Sequence, residues 1–454
     1  KLQRSALAAA YANGDFAAQV AEFDAAWAAA HGHGRDATGR IEQQIKAIVD
    51  DALAGKHVDV DDNLFDVGAS SLSLTQIHAK IDELRTNLSY AVSSRRWIGV
   101  LRRVSLAKAI RGSNSIEGYN VTVDDALAAV DGEEPLDAQD ETWAAIVGYR
   151  QALTYVLELA DDRHFEYSAS LVKALHYQML SYDLSKRPGR WRPGATFVRS
   201  EPSGERVYEG PDAELVPALV DELVASLNEA SKVPVLVRAA MAHLNLVMIH
   251  PFSDGNGRMA RCLQSLVLAR EGILDPQFCS IEEYLWRNTA EYYAVLAEVG
   301  AGAWHPERDA RPWVRFCLTA HYRQAQTLLR RSREMQRLWD ALEDLVSELR
   351  LPDRALAALS DAALGFRVTN GRYRALTDIN ANLASRDLAA LHRAGLLAGK
   401  GERRGRYYVA SARVRSLYQQ LREVRQRIPD PFAEPEMTPA PPFLPGLGPE
   451  PTAG

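Results

Sequence analysis

Apolar residues between about Trp97 and His321 recur at three- and four-residue spacings, most clearly across Val235–Ile249 and Met259–Leu268. Residues so spaced share one face of a helix, so the pattern predicts a dense helical unit and a mostly α fold. One stretch breaks it. Residues 188–211 contain Pro188, Gly189, Pro193, Gly194, Pro202, Gly204, Gly210 and Pro211, and between these lie Thr196-Phe-Val-Arg199 and Arg206-Val-Tyr208. Turn formers bracketing two short β-prone runs predict a β-hairpin set among helices. Downstream, 326–350 reads as a long charged connector helix. Residues 352–412 read as three helical stretches, then a Gly- and Arg-rich turn and the strand Arg406–Val409, and Arg413–Arg427 as a further charged helix. Upstream, residues 1–36 read as one or two Ala-rich helices, and 38–84 as a short helical unit with a polar loop from about Lys56 to Ser70. The helix Val235–Ile249 is expected to stop at His250-Pro251, because proline cannot continue a helix and restricts the residue before it.

Composition narrows the classes. A chain of 454 residues, 47% hydrophobic and 25% charged, is ordinary for a globular protein of two to four domains. The net charge of −6 does not suggest a general binder of nucleic acid or membrane. No run of apolar residues is long enough to predict a transmembrane helix, and no basic segment followed by an apolar core predicts a secretory signal. The cysteines, Cys262, Cys279 and Cys317, are scattered and odd in number. Neither a disulfide framework nor a zinc site is expected, and a reducing, cytoplasmic setting is. The tail from Pro429 holds nine of the 21 prolines and reads as extended.

The chemistry concentrates in His250-Pro-Phe-Ser-Asp-Gly-Asn-Gly-Arg-Met-Ala-Arg261. Ser253–Gly257 makes a tight loop, and a second helix is expected to begin near Gly257. The loop glycines free several backbone N–H groups at a helix N-terminus, where the dipole favours anions. Arg258 and Arg261, three apart on one helical face, offer forked donors suited to phosphate. Asp254 can hold a magnesium ion bridging such phosphates. His250 is the side chain there whose pKa suits a general base near neutrality. Together the residues ask for a nucleoside triphosphate, a metal and a hydroxyl to deprotonate.

This segment matches, without a departure, the Fic motif His-Pro-Phe-x-Asp/Glu-Gly-Asn-Gly-Arg/Lys-x-x-Arg. The resemblance implies a protein adenylyltransferase using ATP and Mg2+. His250 would take the proton from a target Tyr, Thr or Ser hydroxyl, and Phe252 would be buried to anchor the loop. Asp254 would bind magnesium. The Gly255–Gly257 backbone and Asn256 would cradle the α- and β-phosphates, while Arg258 and Arg261 would hold the β/γ end. AMP would be transferred and pyrophosphate released. The hairpin at 194–208 would be the Fic flap, aligning the target protein by strand addition. Asn288 and Tyr292-Tyr293 resemble the segment lining the adenine side of the pocket.

Upstream, Ser113-Asn-Ser-Ile-Glu117-Gly118 matches the Fic inhibitory motif Ser/Thr-x-x-x-Glu-Gly/Asn, within an expected helix 101–119. The resemblance implies that Glu117 pairs with Arg261 and withholds it from the γ-phosphate. In some relatives the same glutamate positions a water for removal of AMP, so the reverse reaction stays open.

Two flanking regions carry further resemblances. Residues 378–409 look like a winged helix, with a turn at Asp378–Ala381, Ser385 capping a helix Arg386–Ala394, Gly395 ending it, and a wing Leu396–Val409 tipped by Lys400, Arg403, Arg404 and Arg406. Such a module binds DNA in some proteins and serves protein contact or dimerisation in others. Residues 59–74 resemble the core of an acyl or peptidyl carrier protein, with Ser71 at the phosphopantetheine position. Residues 1–7 resemble the end of a peptide-synthetase adenylation domain, which would make Lys1 the residue reaching that site. The carrier resemblance leaves two readings open, a pantetheinylated carrier or a relic of gene fusion. The expected domains are therefore a helical extension (1–36), a carrier-like fragment (37–90), a Fic domain (91–330), a connector with winged helix (331–428) and the tail (429–454). Against the enzyme stand two alternatives, a nucleotide-sensing DNA-binding regulator and a carrier-linked enzyme of a peptide-synthetase-type pathway. A homodimer is left open, and no membrane partner is expected.

Overall fold

The structure, a computed structural model, describes residues 74–432 apart from 93–95, 200–203, 232, 275–278, 403–404, 426–427 and 429. Ser71, Lys1, the Ala-rich N-terminal segment and the tail beyond Phe432 lie outside the described residues, as do Arg403 and Arg404. The architecture is helical. In chain order come α1 (Leu74–Val92), α2 (Ile98–Ile116), α3 (Val123–Asp131), α4 (Asp140–Leu159) and α5 (Ala169–Leu180), then strands β1 (Phe197–Arg199) and β2 (Arg206–Glu209). After them run α6 (Val216–Asn228), α7 (Val235–Ile249), α8 (Asn256–Arg270), α9 (Glu282–Arg287), α10 (Thr289–Gly300), β3 (Gly302–Ala303) and α11 (Arg311–Glu348). The C-terminal part holds α12 (Ala355–Ala363), α13 (Asn370–Thr377), α14 (Ala381–Arg393), β4 (Leu397–Lys400), β5 (Tyr407–Ala410) and α15 (Ala412–Leu421). No described helix is long and apolar enough to cross a membrane.

Helices α7 and α8 form the central pair of the larger core and are buried nearly all round. A helix apolar on every side needs neighbours on every side. Here α6 and α11 cover α7, and α2, α4 and α5 cover α8. Caps mark several starts: Thr122, Ser168, Thr369, Asn380 and Ser411 each accept a backbone N–H from the first turn. The hairpin expected at 188–211 is present, with β1 antiparallel to β2 and Val198 opposite Tyr208. A third strand was not foreseen: β3 pairs parallel to β2, and β1 stays at the edge of the sheet.

Several sequence boundaries move. The inhibitory segment is helical over Ile98–Ile116 rather than 101–119, and α8 begins at Asn256 rather than Gly257. The connector expected at 326–350 is the second half of one helix, α11, about 57 Å long at 1.5 Å per residue. It runs through position 330, so the larger and smaller units share it. In the C-terminal unit Asn380, not Ser385, caps the helix, which spans Ala381–Arg393. Asn380 follows the left-handed turn at Asp378 and is placed for the Leu383 N–H, whereas Ser385 lies a turn inside the helix and accepts from the Asn370 amide. The last charged helix stops at Leu421. Of the expected carrier-like fragment only the residues from 74 on are described. Helix α1 packs along α11, with Ile77 and Ile81 in the main core.

Helix α2 belongs to two cores. Trp97 and Leu101 are buried with Leu338, Leu342, Leu359, Tyr373 and Leu388 of the C-terminal unit. One turn on, Val104, Ala107 and Ile110 join the larger core. A buried ionic network reinforces the junction. Arg103 of α2 pairs with Asp361 of α12 and with Asp131 of α3. Arg372 of α13, only 1% exposed, reaches Asp131 at 2.9 Å and Glu133 at 3.1 Å. Burial, and after it the neighbouring Asp361 and Glu133 carboxylates, raise the Asp131 carboxyl, and Arg103 and Arg372 oppose that rise. Removing one arginine leaves buried carboxylates facing one another. Arg372→Ala is therefore expected to lower unfolding stability by about 3–5 kcal/mol, the usual cost of stranding a buried charge. Equilibrium denaturation in urea checks it, and a loss under about 1 kcal/mol would mean that solvent already screens the network.

Candidate active site

The loop between α7 and α8 is built by its own backbone. His250 is the C-cap of α7 in the left-handed region, φ 50° and ψ 57°. The helix ends at His250-Pro251, as expected, and the restricted residue before the proline takes up left-handed backbone. Left-handed backbone costs a non-glycine residue roughly 1–2 kcal/mol, so something must hold it there. Three bonds do. The His250 N–H donates to the Leu246 carbonyl at 3.0 Å, its carbonyl accepts from Arg192 Nε at 2.8 Å, and its ring Nδ1 lies 3.1 Å from the Val247 carbonyl. A carbonyl can only accept, so the proton of the neutral ring sits on Nδ1 and Nε2 keeps its lone pair. Burial lowers the His250 pKa below its ordinary 6.5.

Phe252 is fully buried, as expected. Its ring stacks on His176 with centroids 3.6 Å apart and leans on Trp191 at 5.0 Å. His176 is a support that the sequence did not reveal. Its Nδ1 accepts the Gly189 N–H and its Nε2 donates to the Asp254 carbonyl, both at 2.9 Å. Burial lowers its pKa to about 4, so the imidazole stays neutral and the pattern fixed. Gly255 caps α8 at φ 75°, where a Cβ would lie 2.7 Å from Leu180. Only glycine serves there.

Asn256 departs from expectation. Its side chain bonds back to the Phe252 N–H at 2.9 Å and carbonyl at 2.8 Å. It shapes the loop and leaves only its main-chain N–H for a phosphate. The first N–H groups of α8 have no capping side chain, since the N-cap is glycine. Beside them Arg258 is 1% exposed, with its Nε and Nη1 hydrogens lacking any partner and its guanidinium 5.0 Å from the Tyr119 ring centroid. Unpaired buried donors are costly, and they suit an anion that brings its own acceptors. Asp254 accepts the Gly255 N–H through Oδ1, and its Oδ2 is 3.6 Å from Lys186 Nζ. Lys186 also donates to the Tyr119 hydroxyl at 2.8 Å, so it sits between the loop acid and the segment after α2. No cluster of three or more metal-ligating side chains exists among the described residues. A magnesium ion at Asp254 would take its other ligands from phosphates and water, which is its habit.

Arg261 is turned away from such an anion. Its Nη2 is 2.6 Å from Glu117 Oε1 and 2.9 Å from the Ser113 carbonyl, and its Nε donates to the Ser113 hydroxyl at 2.8 Å. Each residue singled out in Ser113–Gly118 now has a physical part. Ser113 and Glu117, one turn apart on α2, grip Arg261. Gly118 takes φ 86° to turn the chain away. The Glu117 carboxylate also lies against Gly257, where an added Cβ would collide with Oε1.

These residues have counterparts in known proteins. The profile of the Fic/DOC family matches residues 166–268. Residues 166–268 are a Fic domain. Protein adenylyltransferase fic-1 of Caenorhabditis elegans is 32% identical over 174 residues, 38% of this chain and 30% of that protein. Protein adenylyltransferase Fic of Nematostella vectensis is 27% identical over 252 residues, 52% of each chain. The chain thus spans about a third to a half of the length of these curated relatives. Among solved structures, a Fic family protein from Desulfovibrio desulfuricans aligns over 74% of this chain and 95% of its own at 21% identity and a TM-score of 0.46.

Around this Fic domain two expected nucleotide contacts move. Tyr292 is 1% exposed. Its hydroxyl lies 3.0 Å from His243 Nε2 and 3.4 Å from Arg261 Nη1, so it props Arg261 from behind. His243 continues the chain to Gln264 at 2.6 Å. Burial lowers its pKa to about 3, so it is neutral and accepts the Tyr292 O–H. Asn288 is half-buried at the start of α10 and donates to the Tyr284 carbonyl. Tyr293 is the exposed member of the pair, donating to the Ile116 carbonyl at the end of α2.

Arg192 is the residue whose importance the sequence hid. It is 4% exposed and bonds three carbonyls, those of His250, Gly194 and Pro211. Its N–H donates to the Pro251 carbonyl. One side chain thus ties both feet of the hairpin to the histidine. Arg192→Ala is expected to cut kcat by about a hundredfold, the scale of a misplacement near 1 Å, with little change in the ATP KM. Steady-state kinetics check this. A KM rise without a kcat loss would place Arg192 in nucleotide binding instead.

Proposed function

We propose that the chain transfers AMP from MgATP to a hydroxyl side chain of a target protein, and that Glu117 restrains the reaction in cis. One observation carries the reading: the buried Arg258 donors without partners stand beside the N-terminus of α8 and a histidine with a free Nε2. The arrangement suits a phosphate chain and a proton to be taken, side by side. The names of the relatives, protein adenylyltransferases, agree with it.

In this reading His250 Nε2 accepts the proton of a Tyr, Thr or Ser hydroxyl as its oxygen forms a bond to the α-phosphorus. The bond from that phosphorus to the bridging oxygen breaks, and pyrophosphate leaves. The N–H groups of residues 255–257 and Arg258 hold the phosphates in line. Magnesium, when bound, neutralises phosphate charge, and Asp254 is the carboxylate to hold it. Strand β1 offers an unpaired edge among the described residues, and an extended segment of the target would add to it.

The test uses two labels. Incubation with a host lysate and ATP labelled at the α-phosphate is expected to label protein, whereas ATP labelled at the γ-phosphate is not. Label from the γ-position alone would make the chain a kinase and reverse the assignment of the leaving group.

A further inference from the structure

A second cluster of cations lies on the far side of α2. Helices α2 and α9 approach so closely at Gly112 that an added Cβ would lie 2.6 Å from the Glu282 carbonyl. That contact brings Lys108, one turn earlier on α2, to the charged residues of α9 and α11. Arg331 of α11 makes a two-pronged pair with Glu283 of α9 at 2.6 and 2.7 Å, and Arg287 shares the same carboxylate at 3.0 Å. Arg330 pairs with Glu334 at 2.6 Å. The C-terminal segment after α15 adds Arg422 and Arg425. It is held along α11 by Glu423, which pairs with Arg333 and Arg337.

Lys108, Arg287, Arg330, Arg331, Arg422 and Arg425 therefore gather around Glu283 and Glu334, with Arg111 bordering them through the same Glu283, while a third carboxylate, Glu423, is taken up by Arg333 and Arg337. Lys108 makes no ion pair among the described residues. Burial, then the neighbouring Arg331, Arg287 and Arg330, lower its pKa to about 7, with Glu283 alone opposing them. Burial and the charges of Arg422, Arg330, Arg287 and Arg331 likewise lower Arg425. Composition does not explain the excess, since the whole chain carries −6. Like charges so gathered repel unless an anion joins them.

We propose that this cluster is a binding site for a small anion of several linked phosphates, separate from the phosphate cradle of the Fic loop. Guanidinium forks on α9, α11 and the C-terminal segment suit phosphate oxygens, which they bind in pairs. Two carboxylates set among the cations, and the negative chain around them, favour a compact anion over a long nucleic-acid backbone. Nine residues separate Lys108 from Glu117, roughly 2.5 turns, so the two project from opposite faces of α2. An anion bridging Lys108, Arg287 and Arg331 would fasten α2 to α9 and α11.

The test does not depend on the adenylyltransferase reading. The full chain carrying Arg258→Ala, which weakens the catalytic cradle, is titrated with inorganic tripolyphosphate by calorimetry. Binding is expected to persist, and to weaken about tenfold or more when Lys108→Met or Arg425→Ala is added, as one charge-assisted contact is lost. Lys108→Met removes a desolvated charge and keeps the apolar stem, so this variant should fold. Tripolyphosphate itself gains charge as pH rises, so the two chains are compared: the factor by which Lys108→Met weakens binding is expected to shrink as pH rises from about 6 to about 8.5, because an anion favours protonated Lys108. ATP in place of tripolyphosphate separates the sources: equal affinity means that the phosphate chain alone is read, and tighter ATP means a nucleotide. No binding to the Arg258→Ala chain overturns the proposal. So does binding indifferent to both Lys108→Met and Arg425→Ala.

Discussion

Glu117→Gly is expected to raise protein labelling from ATP by about a hundredfold, roughly what one positioned donor contributes to an electrostatic site. The wild-type geometry explains the size. Arg261 is 1% exposed, and Nε and Nη2 are committed to Ser113 and Glu117. Charged at any working pH, it would be a strong donor to a triphosphate, but the ion pair points it at α2. Removing the carboxylate frees one Nη2 hydrogen, the other staying on the Ser113 carbonyl, and clears the space over Gly257. Ser113 and Tyr292 still hold the guanidinium in place, so the freed arginine stays ordered. Glu117 is the C-cap of α2, and Gly118 makes the turn after it, so a second glycine there should cost little fold stability. Equal labelling by wild type and Glu117→Gly would remove Glu117 from any inhibitory part. Glu117→Gln sharpens the test. It keeps the shape over Gly257 but loses the charge, so labelling intermediate between wild type and glycine would divide the effect between blockade and ion pairing.

How much of this was legible in the chain depends on the range of the interactions. The loop 250–261 was readable because most of its residues act through local backbone: a glycine for a left-handed cap, an aromatic to bury, arginines three apart. Ser113 and Glu117 were readable because one helical turn fixes their mutual position. Arg192, His176, His243 and Lys186 were not, since the partners that tie them to the site lie 13 to 78 residues away and nothing beside them in the chain marks them. Arg192 sits in a Trp-Arg-Pro-Gly run that looks like plain loop. The left-handed conformation of His250 was hidden for a related reason. The residue before a proline avoids helical backbone when left alone, yet three hydrogen bonds overrule that preference here. The unbroken α11 was split because its charged stripe resembles a connector, while its other face feeds both cores. Tyr292, read as a nucleotide contact, is buried and bonds Arg261 and His243, a support that its place in the chain did not reveal.

His250→Ala is expected to abolish labelling, a loss of about 10²–10⁴-fold on general-base grounds, in wild type and in Glu117→Gly alike. The pH profile discriminates this from collapse of the loop. Catalysis by a base needs the neutral imidazole, which is the form that burial favours by lowering the His250 pKa. The reaction should therefore be at full rate from neutrality down past 6.5, the ordinary histidine value, and fall only where His250 at last protonates. Glu117 and Asp254 oppose the lowering, since each carboxylate steadies the imidazolium. Removing Glu117 takes one of them away, so the acid limb of Glu117→Gly should lie at lower pH still. A histidine that was merely structural would not couple its titration to that carboxylate. An acid limb at or above 6.5, or one that Glu117→Gly leaves in place, would take the proton-abstracting part away from His250. The ring geometry would then call for a different acceptor within reach of the flap edge.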